Sequence, residues 1–307
     1  MLALSTSWKS AKTVEARALL QSLESLPISS IELDYRISEP TLEDLKKLLA
    51  KSRLKVVSVH NYLPKPVMPP GARASGDFYL LSSLDKDERR RAVRRTQKTI
   101  ENADELGARA VVLHGGRVEM ERELSELYHY FESDLIFSKT AQAFIQKKLK
   151  QRDKIKGEYL ESLLTSLNEL CRTAEKHNVL LGLENRFHYD ELPTLNDFEH
   201  IFTELDGAPL GYWHDTGHAH VNEQLTIVPA GSLLRKYADK LIGVHLHDAI
   251  DLEDHLSPGC GEIDFRGLKS YLRPDMMKVI ELKSPVKKSG VIQGIHFIRK
   301  ILPRTCL

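Results

Sequence analysis

The chain has 307 residues, 41% hydrophobic and 28% charged, with 44 Lys and Arg against 43 Asp and Glu for a net charge of +1. That length suits one α/β barrel, the composition excludes disordered and collagenous classes, and the charge balance offers no global attraction for nucleic acid or anionic lipid. Cys171, Cys260 and Cys306 are odd in number and widely spaced, which predicts no disulfide framework and a reducing, cytoplasmic setting.

In chain order, the apolar opening Met1-Leu2-Ala3-Leu4 is broken by Ser5, Thr6, Ser7 and Lys9. It is too short for a signal segment, and no apolar run approaches the ~18 residues that would span a bilayer. Short β-branched or Leu-rich runs predict strands at 2–5, 30–34, 55–60, 110–114, 179–184, 210–214, 241–247 and 277–282. Between them helical spacing predicts helices at 13–26, 42–52, 85–106, 157–177, 195–205 and 227–240. Gly107 and Gly207 follow two of these as C-caps. Eight strand–helix units predict a closed (β/α)8 TIM barrel, with 1–307 as a single domain.

Three stretches depart from the regular alternation. Residues 64–70, rich in Pro, follow the third strand and belong at the barrel mouth. The basic run 86–98 opens with Asp85, Asp87 and Glu88 and reads as the solvated face of an outer helix, not a nucleic-acid patch. Residues 117–156 insert a charged, aromatic-containing helical stretch after strand four, and that position predicts a lid over the mouth.

Metal-type ligands collect at predicted strand ends. His60 ends the third strand, His114 the fourth and Glu184 the fifth; Asp215 and His218 follow the sixth, His245 and His247 close the seventh, and Glu281 closes the eighth. In a barrel those ends share one rim, so positions 60 to 281 become neighbours. Six of the 13 histidines fall within 213–255. Imidazole and carboxylate without thiolate suit Zn²⁺, Mn²⁺, Co²⁺ or Fe²⁺. His245 and His247 alternate with Val244 and Leu246, so both are expected to face the interior. His129, His177, His200 and His296 lie in helical segments and read as surface or packing residues, and Trp213 reads as core.

In this order the pieces Leu113-His114-Gly115-Gly116, Leu183-Glu184-Asn185-Arg186, His214-Asp215-Thr216-Gly217-His218, Val244-His245-Leu246-His247-Asp248, His255-Leu256-Ser257-Pro258-Gly259 and Ile280-Glu281-Leu282-Lys283 resemble the xylose isomerase-like TIM-barrel superfamily. That group holds sugar isomerases and epimerases together with endonuclease IV-type apurinic endonucleases (AP endonuclease family 2). The resemblance implies a metal site of Glu184, Asp215, His245 and Glu281, with Glu184 and Glu281 also serving as acid and base. It further implies that His60, His114, His218, His247, Glu253 and His255 are available for additional metals or substrate. At Glu253, with Asp254 beside it, the sequence departs from the nuclease pattern. Arg186 and Lys283 each follow a ligand carboxylate and are candidates for a substrate phosphate.

Three readings follow. In the favoured one, a metal-dependent isomerase or epimerase moves a proton on a sugar or sugar phosphate through an enediolate. The alternative is a phosphodiesterase at abasic DNA with a multinuclear zinc site, for which Lys65 and Arg73 are candidate phosphate contacts. A differently catalytic barrel acting on a polyol is a third. The expected partner is a small molecule rather than nucleic acid or membrane, and the chain is a candidate homo-oligomer.

Overall fold

The computed structural model describes residues 1–13, 15–67 and 75–302; Arg73, Cys306 and the later part of the Pro-rich 64–70 stretch lie outside them. Strands β1 (Leu2–Ser5), β2 (Ser30–Leu33), β3 (Lys55–His60), β4 (Ala110–Leu113), β5 (Leu180–Glu184), β6 (Leu210–Asp215) and β7 (Leu241–Leu246) are followed by a hairpin of β8 (Asp248–Ile250) and β9 (Glu253–Leu256), then by β10 (Met277–Ile280). The barrel closes in the order β1-β10-β7-β6-β5-β4-β3-β2, with every neighbouring pair parallel. The expected (β/α)8 barrel is therefore the observed one, with each predicted strand displaced by no more than a residue or two at its ends.

Alternation along the strands divides the apolar residues into two layers. Val57, Ala110, Val112, Trp213 and Val279 fill the barrel interior, while a larger core that includes Leu4, Ile31, Val111, Leu183, Val244 and Ile280 lies between the strands and the helices. Trp213 is fully buried, and a Cβ at Gly182 or Gly243 would collide with its indole. Those two glycines leave the room this large side chain needs inside the barrel.

Caps set several boundaries. Asp85 accepts from the backbone N–H groups of Asp87 and Glu88 at the start of the helix Lys86–Glu105, whose Arg90, Arg91 and Arg94 are exposed and whose Ala92, Val93 and Ile100 are buried. Gly107 and Gly207 end their helices at φ 69° and 78°, in the left-handed region. The helix expected over 227–240 is confined to Ser232–Tyr237, because Pro229-Ala230-Gly231 interrupts it and Gly231 sits at φ 65°. The chain after β6 instead turns at once into the helix Thr216–Gln224, capped by Asp215.

Residues 117–156 contain the helix Leu124–Glu132 and the first half of a 38-residue helix, Lys139–Lys176, which continues as the crossover to β5. The helix predicted to begin at 157 starts instead at Lys139 and runs through Gly157, which sits on an open face where a Cβ would meet nothing and costs only about 1 kcal/mol. Leu127, Ile136 and Ile145 of this segment pack with Tyr189, Val221 and Leu225 from the loop after β5 and the helix after β6. Among the described residues, no helix is long and apolar enough to cross a membrane.

Candidate metal centre and active site

The C-terminal ends of the strands open on a cavity of about 300 Å³ whose walls include His60, His114, Glu184, His218, His255 and Glu281. Beneath it, Glu184, Asp215, His245 and Glu281 each offer a ligand atom, all within 4.8 Å of one another. His245 Nδ1 stands at their focus: it is 2.5 Å from Glu184 Oε1, 3.1 Å from Glu281 Oε2 and 3.7 Å from Asp215 Oδ2. Its Nε2 faces Glu32 Oε1 at 3.1 Å, and Ser58 Oγ donates to the other Glu32 oxygen at 2.7 Å. Asp215 has a double duty, since Oδ1 accepts from the His218 backbone N–H at 2.7 Å to start the helix while Oδ2 lies 2.9 Å from His247 Nε2.

The electrostatics follow from this crowding. Burial would raise the Glu184 carboxyl, but the His245, His114 and His60 imidazoles hold it well below the usual range. Burial likewise opposes charge on His245, yet the carboxylates of Glu281, Glu32 and Glu184 hold its imidazole well above its ordinary value. Four buried carboxylates thus surround one imidazole, an anionic excess that a divalent cation offsets. The donor set is oxygen and imidazole nitrogen without thiolate, so these residues fit Zn²⁺, Mn²⁺, Co²⁺ or Fe²⁺.

The structure brings the predicted residues together unevenly. Glu184, Asp215, His245 and Glu281 form the cluster; His60, His114, His218, His255, Arg186 and Lys283 line the cavity. His247 is fully buried below the wall, stacked on His255 at 4.1 Å. Glu253 is not brought in: it is exposed and pairs across the hairpin with Ile250, while Asp254 lines the cavity in its stead. Adjacent residues of a strand face opposite ways, so only one of these two acids can point inward. His129, His200 and His296 stay on helices and His177 caps the end of one, none of them lining the cavity.

Arg186 is not open to an incoming phosphate. Its guanidinium lies 2.7 Å from His114 Nε2, 3.5 Å from Glu184 Oε2, 3.0 Å from Glu191 Oε1 and 3.1 Å from Asp77 Oδ2. Lys283 is bound to Asp254 at 2.6 Å but half exposed. Sequence reasoning missed Glu32, Asp77 and Arg36. Glu32 carried a signal, as a carboxylate inside an otherwise apolar strand; Asp77, in an irregular loop, carried none.

A parallel eightfold barrel with a carboxylate–imidazole cluster at its C-terminal mouth has the layout of a TIM barrel whose site is built on strand ends. Residues 20–301 match the family described as xylose isomerase-like TIM barrel, and the chain belongs to that family. It is 31% identical over 127 residues to the uncharacterized protein MJ1614 of Methanocaldococcus jannaschii, a match covering 41% of this chain and 47% of that protein. The chain thus spans about half the length of this curated relative. Among solved structures it is similar to a D-tagatose 3-epimerase-like protein, at 19% identity and a TM-score of 0.69 with 98% and 96% of the two chains covered. It is also similar to the IolI protein with a bound zinc atom, at 17% identity and a TM-score of 0.66 with 98% and 95% covered. At these identities the likeness to the solved structures is one of fold.

Proposed function

We propose that the protein is a metal-dependent isomerase or epimerase of a sugar or sugar phosphate. The observation that carries this reading is the convergence of two glutamates, Glu184 from β5 and Glu281 following β10, on one buried ligand cluster beneath a cavity of about 300 Å³. A bound divalent cation supplies polarisation of a carbonyl and its neighbouring hydroxyl. Glu184 and Glu281 then hold or move a proton from two directions, as a substrate carbon passes through a planar enediolate. His60, His114 and His255 close the walls, and His60 and His255 offer hydrogen bonds to hydroxyl groups. The epimerase named among the similar folds points the same way.

The alternative, a multinuclear phosphodiesterase, is favoured by two further ligand groups, His60–His114–Glu184 and His247–His255–Glu281. In each, one histidine is already committed at both nitrogens. His114 faces Asp77 at 3.0 Å and Arg186 at 2.7 Å, so a guanidinium cation occupies the neighbourhood a second metal would need. His247 is held by Asp215 and by the His255 backbone N–H. We therefore read one metal per chain.

The test is solvent exchange. Metal-loaded protein incubated in D2O with a panel of ketoses and their phosphates is expected to place deuterium next to the carbonyl of one class. Cleavage of an abasic duplex with no such exchange, and with more than one metal per chain, would overturn the reading.

A further inference from the structure

A second cavity, of about 550 Å³, lies outside the barrel between the helix Thr216–Gln224, the helix Ser232–Tyr237 and the segment 262–271. Its wall carries more anionic than cationic groups. His214 and His220 face it, with the carboxylates of Glu223, Glu262 and Asp264 and a single cation, Arg235.

The hydrogen-bond chain behind His214 fixes what that ring presents. Asn185 Nδ2 donates to the Asp215 carbonyl at 3.0 Å, which orients the amide so that Oδ1 accepts from the Asp215 backbone N–H at 2.8 Å. The Tyr212 hydroxyl lies 3.1 Å from that same Oδ1 and has only one proton, so it donates there. It must then accept from His214 Nδ1 at 2.6 Å. With Nδ1 carrying the proton, neutral His214 turns a bare Nε2 toward the cavity. The residue is only 5% exposed, and no side chain among the described residues hydrogen-bonds this nitrogen. His220 adds a second such atom: its buried Nε2 has no hydrogen-bond partner, the Glu262 carboxylate standing 3.7 Å away.

One imidazole acceptor, a second imidazole nitrogen without a partner and three carboxylates therefore face one space with one guanidinium, and that guanidinium already donates to the Ala230 carbonyl. Carboxylates thus outnumber cations three to one on this wall, with Gln224, Ser270 and Tyr271 among its neutral polar groups. Leu233, Leu234 and Leu268 supply an apolar floor. No group of three metal-type ligands converges here among the described residues, which argues against a metal ion as the missing partner. We propose that this cavity is a second binding site, distinct from the metal centre, for a small organic amine: an ammonium head on the imidazoles and carboxylates and an apolar body on the leucines.

The experiment uses the full chain with benzylamine, n-butylamine and 1,4-diaminobutane as probes and benzyl alcohol as the uncharged comparison. Calorimetry is read together with the side-chain nitrogen spectra of ¹⁵N-histidine-labelled protein. The expected result is saturable binding of at least one amine, with benzyl alcohol weaker. Glu262→Gln or Glu223→Gln should weaken the amine about fivefold or more, and His60→Gln, in the other cavity, should leave it unchanged. The Nε2 resonance of His214 should report the Nδ1–H tautomer, and those of His214 and His220 should shift as the amine binds. Absence of saturation for all three amines, or binding that both glutamate variants leave unaltered, would overturn the proposal. Neither result depends on whether the metal centre isomerises a sugar.

Discussion

Both ring nitrogens of His247 are engaged in hydrogen bonds. The His255 backbone, held at φ 62°, donates its N–H to His247 Nδ1 at 2.9 Å, so the proton of the neutral ring sits on Nε2 and is donated to Asp215 Oδ2 at 2.9 Å. Its work is to aim the Asp215 carboxylate. Replacing it, His247→Phe, should weaken divalent-metal binding by about 10–100-fold in a competition with a chelator, with His247→Gln between that and the native protein. Native affinity in the Phe variant would refute the positioning role. Gly217→Ala should act in the same direction, because the added Cβ would strike the His247 ring. For Glu281→Gln, deuterium exchange into substrate should fall by about 10²–10⁴-fold, the range associated with losing a general acid or base. At this scale the ligands at strand ends were legible because strand termini place them on a common rim. Glu253 was misjudged because two neighbouring acids in a hairpin look alike until the register of β8 on β9 decides which one turns inward.

Among elements, the segment 117–156 is tied to the loop after β5 by buried charge. Arg152, only 1% exposed, bonds the Asp197 carboxylate at 2.5 Å and the Glu191 carbonyl at 3.1 Å. Glu191 in turn holds Arg186. Among the described residues, none from 117–156 lines the metal-site cavity, whereas Phe187 both lines it and packs with the apolar cluster of the segment. The expectation of a lid thus becomes a proposal that the segment braces the loop from behind. Arg152→Ala should cost about 1.5–3 kcal/mol in a denaturant melt, since it removes charged hydrogen bonds from a buried carboxylate that keeps Lys156 and Thr194, and should weaken substrate binding through Arg186. A melt unchanged by the substitution would dismiss the brace. Further along the same helix, burial pushes the Cys171 thiol up to about 11. The folded state therefore keeps a proton that the unfolded chain releases at lower pH, so stability should decline as pH climbs from about 9 toward 11. Cys171→Ala should flatten that limb of a pH–Tm series. The helical character of 117–156 was legible from its spacing, but its fusion with the crossover was not, because an exposed glycine in mid-helix carries the same letter as a cap.

For the whole molecule, the barrel holds an anionic cluster together before any cation arrives. His245 has a carboxylate oxygen at each ring nitrogen, Glu184 at Nδ1 and Glu32 at Nε2, and against the effect of burial these carboxylates hold it well above its ordinary value, which favours the doubly protonated ring. Binding of a metal at His245 must displace the proton, so metal affinity should rise with pH and uptake near pH 7 should release about one proton, seen as a buffer-dependent heat in calorimetry. Uptake without proton release would mean that His245 is not a ligand. The loaded protein should also melt higher, in proportion to the logarithm of free metal concentration. The fold was legible from sequence because eight short apolar runs allow few closed arrangements, whereas the cavity's outer wall, built from Arg36 and Asp77, depends on loops that no periodicity records. The unbroken helix Lys139–Lys176 has a consequence for how such barrels diversify. Because the added segment shares its backbone with a structural crossover, it is not a cassette that recombination can exchange at two loop junctions. A lineage can lengthen or shorten it turn by turn, at about 1.5 Å per residue, and each step moves the apolar patch that steadies the loop after β5, so variation in active-site shape among descendants would be graded rather than modular.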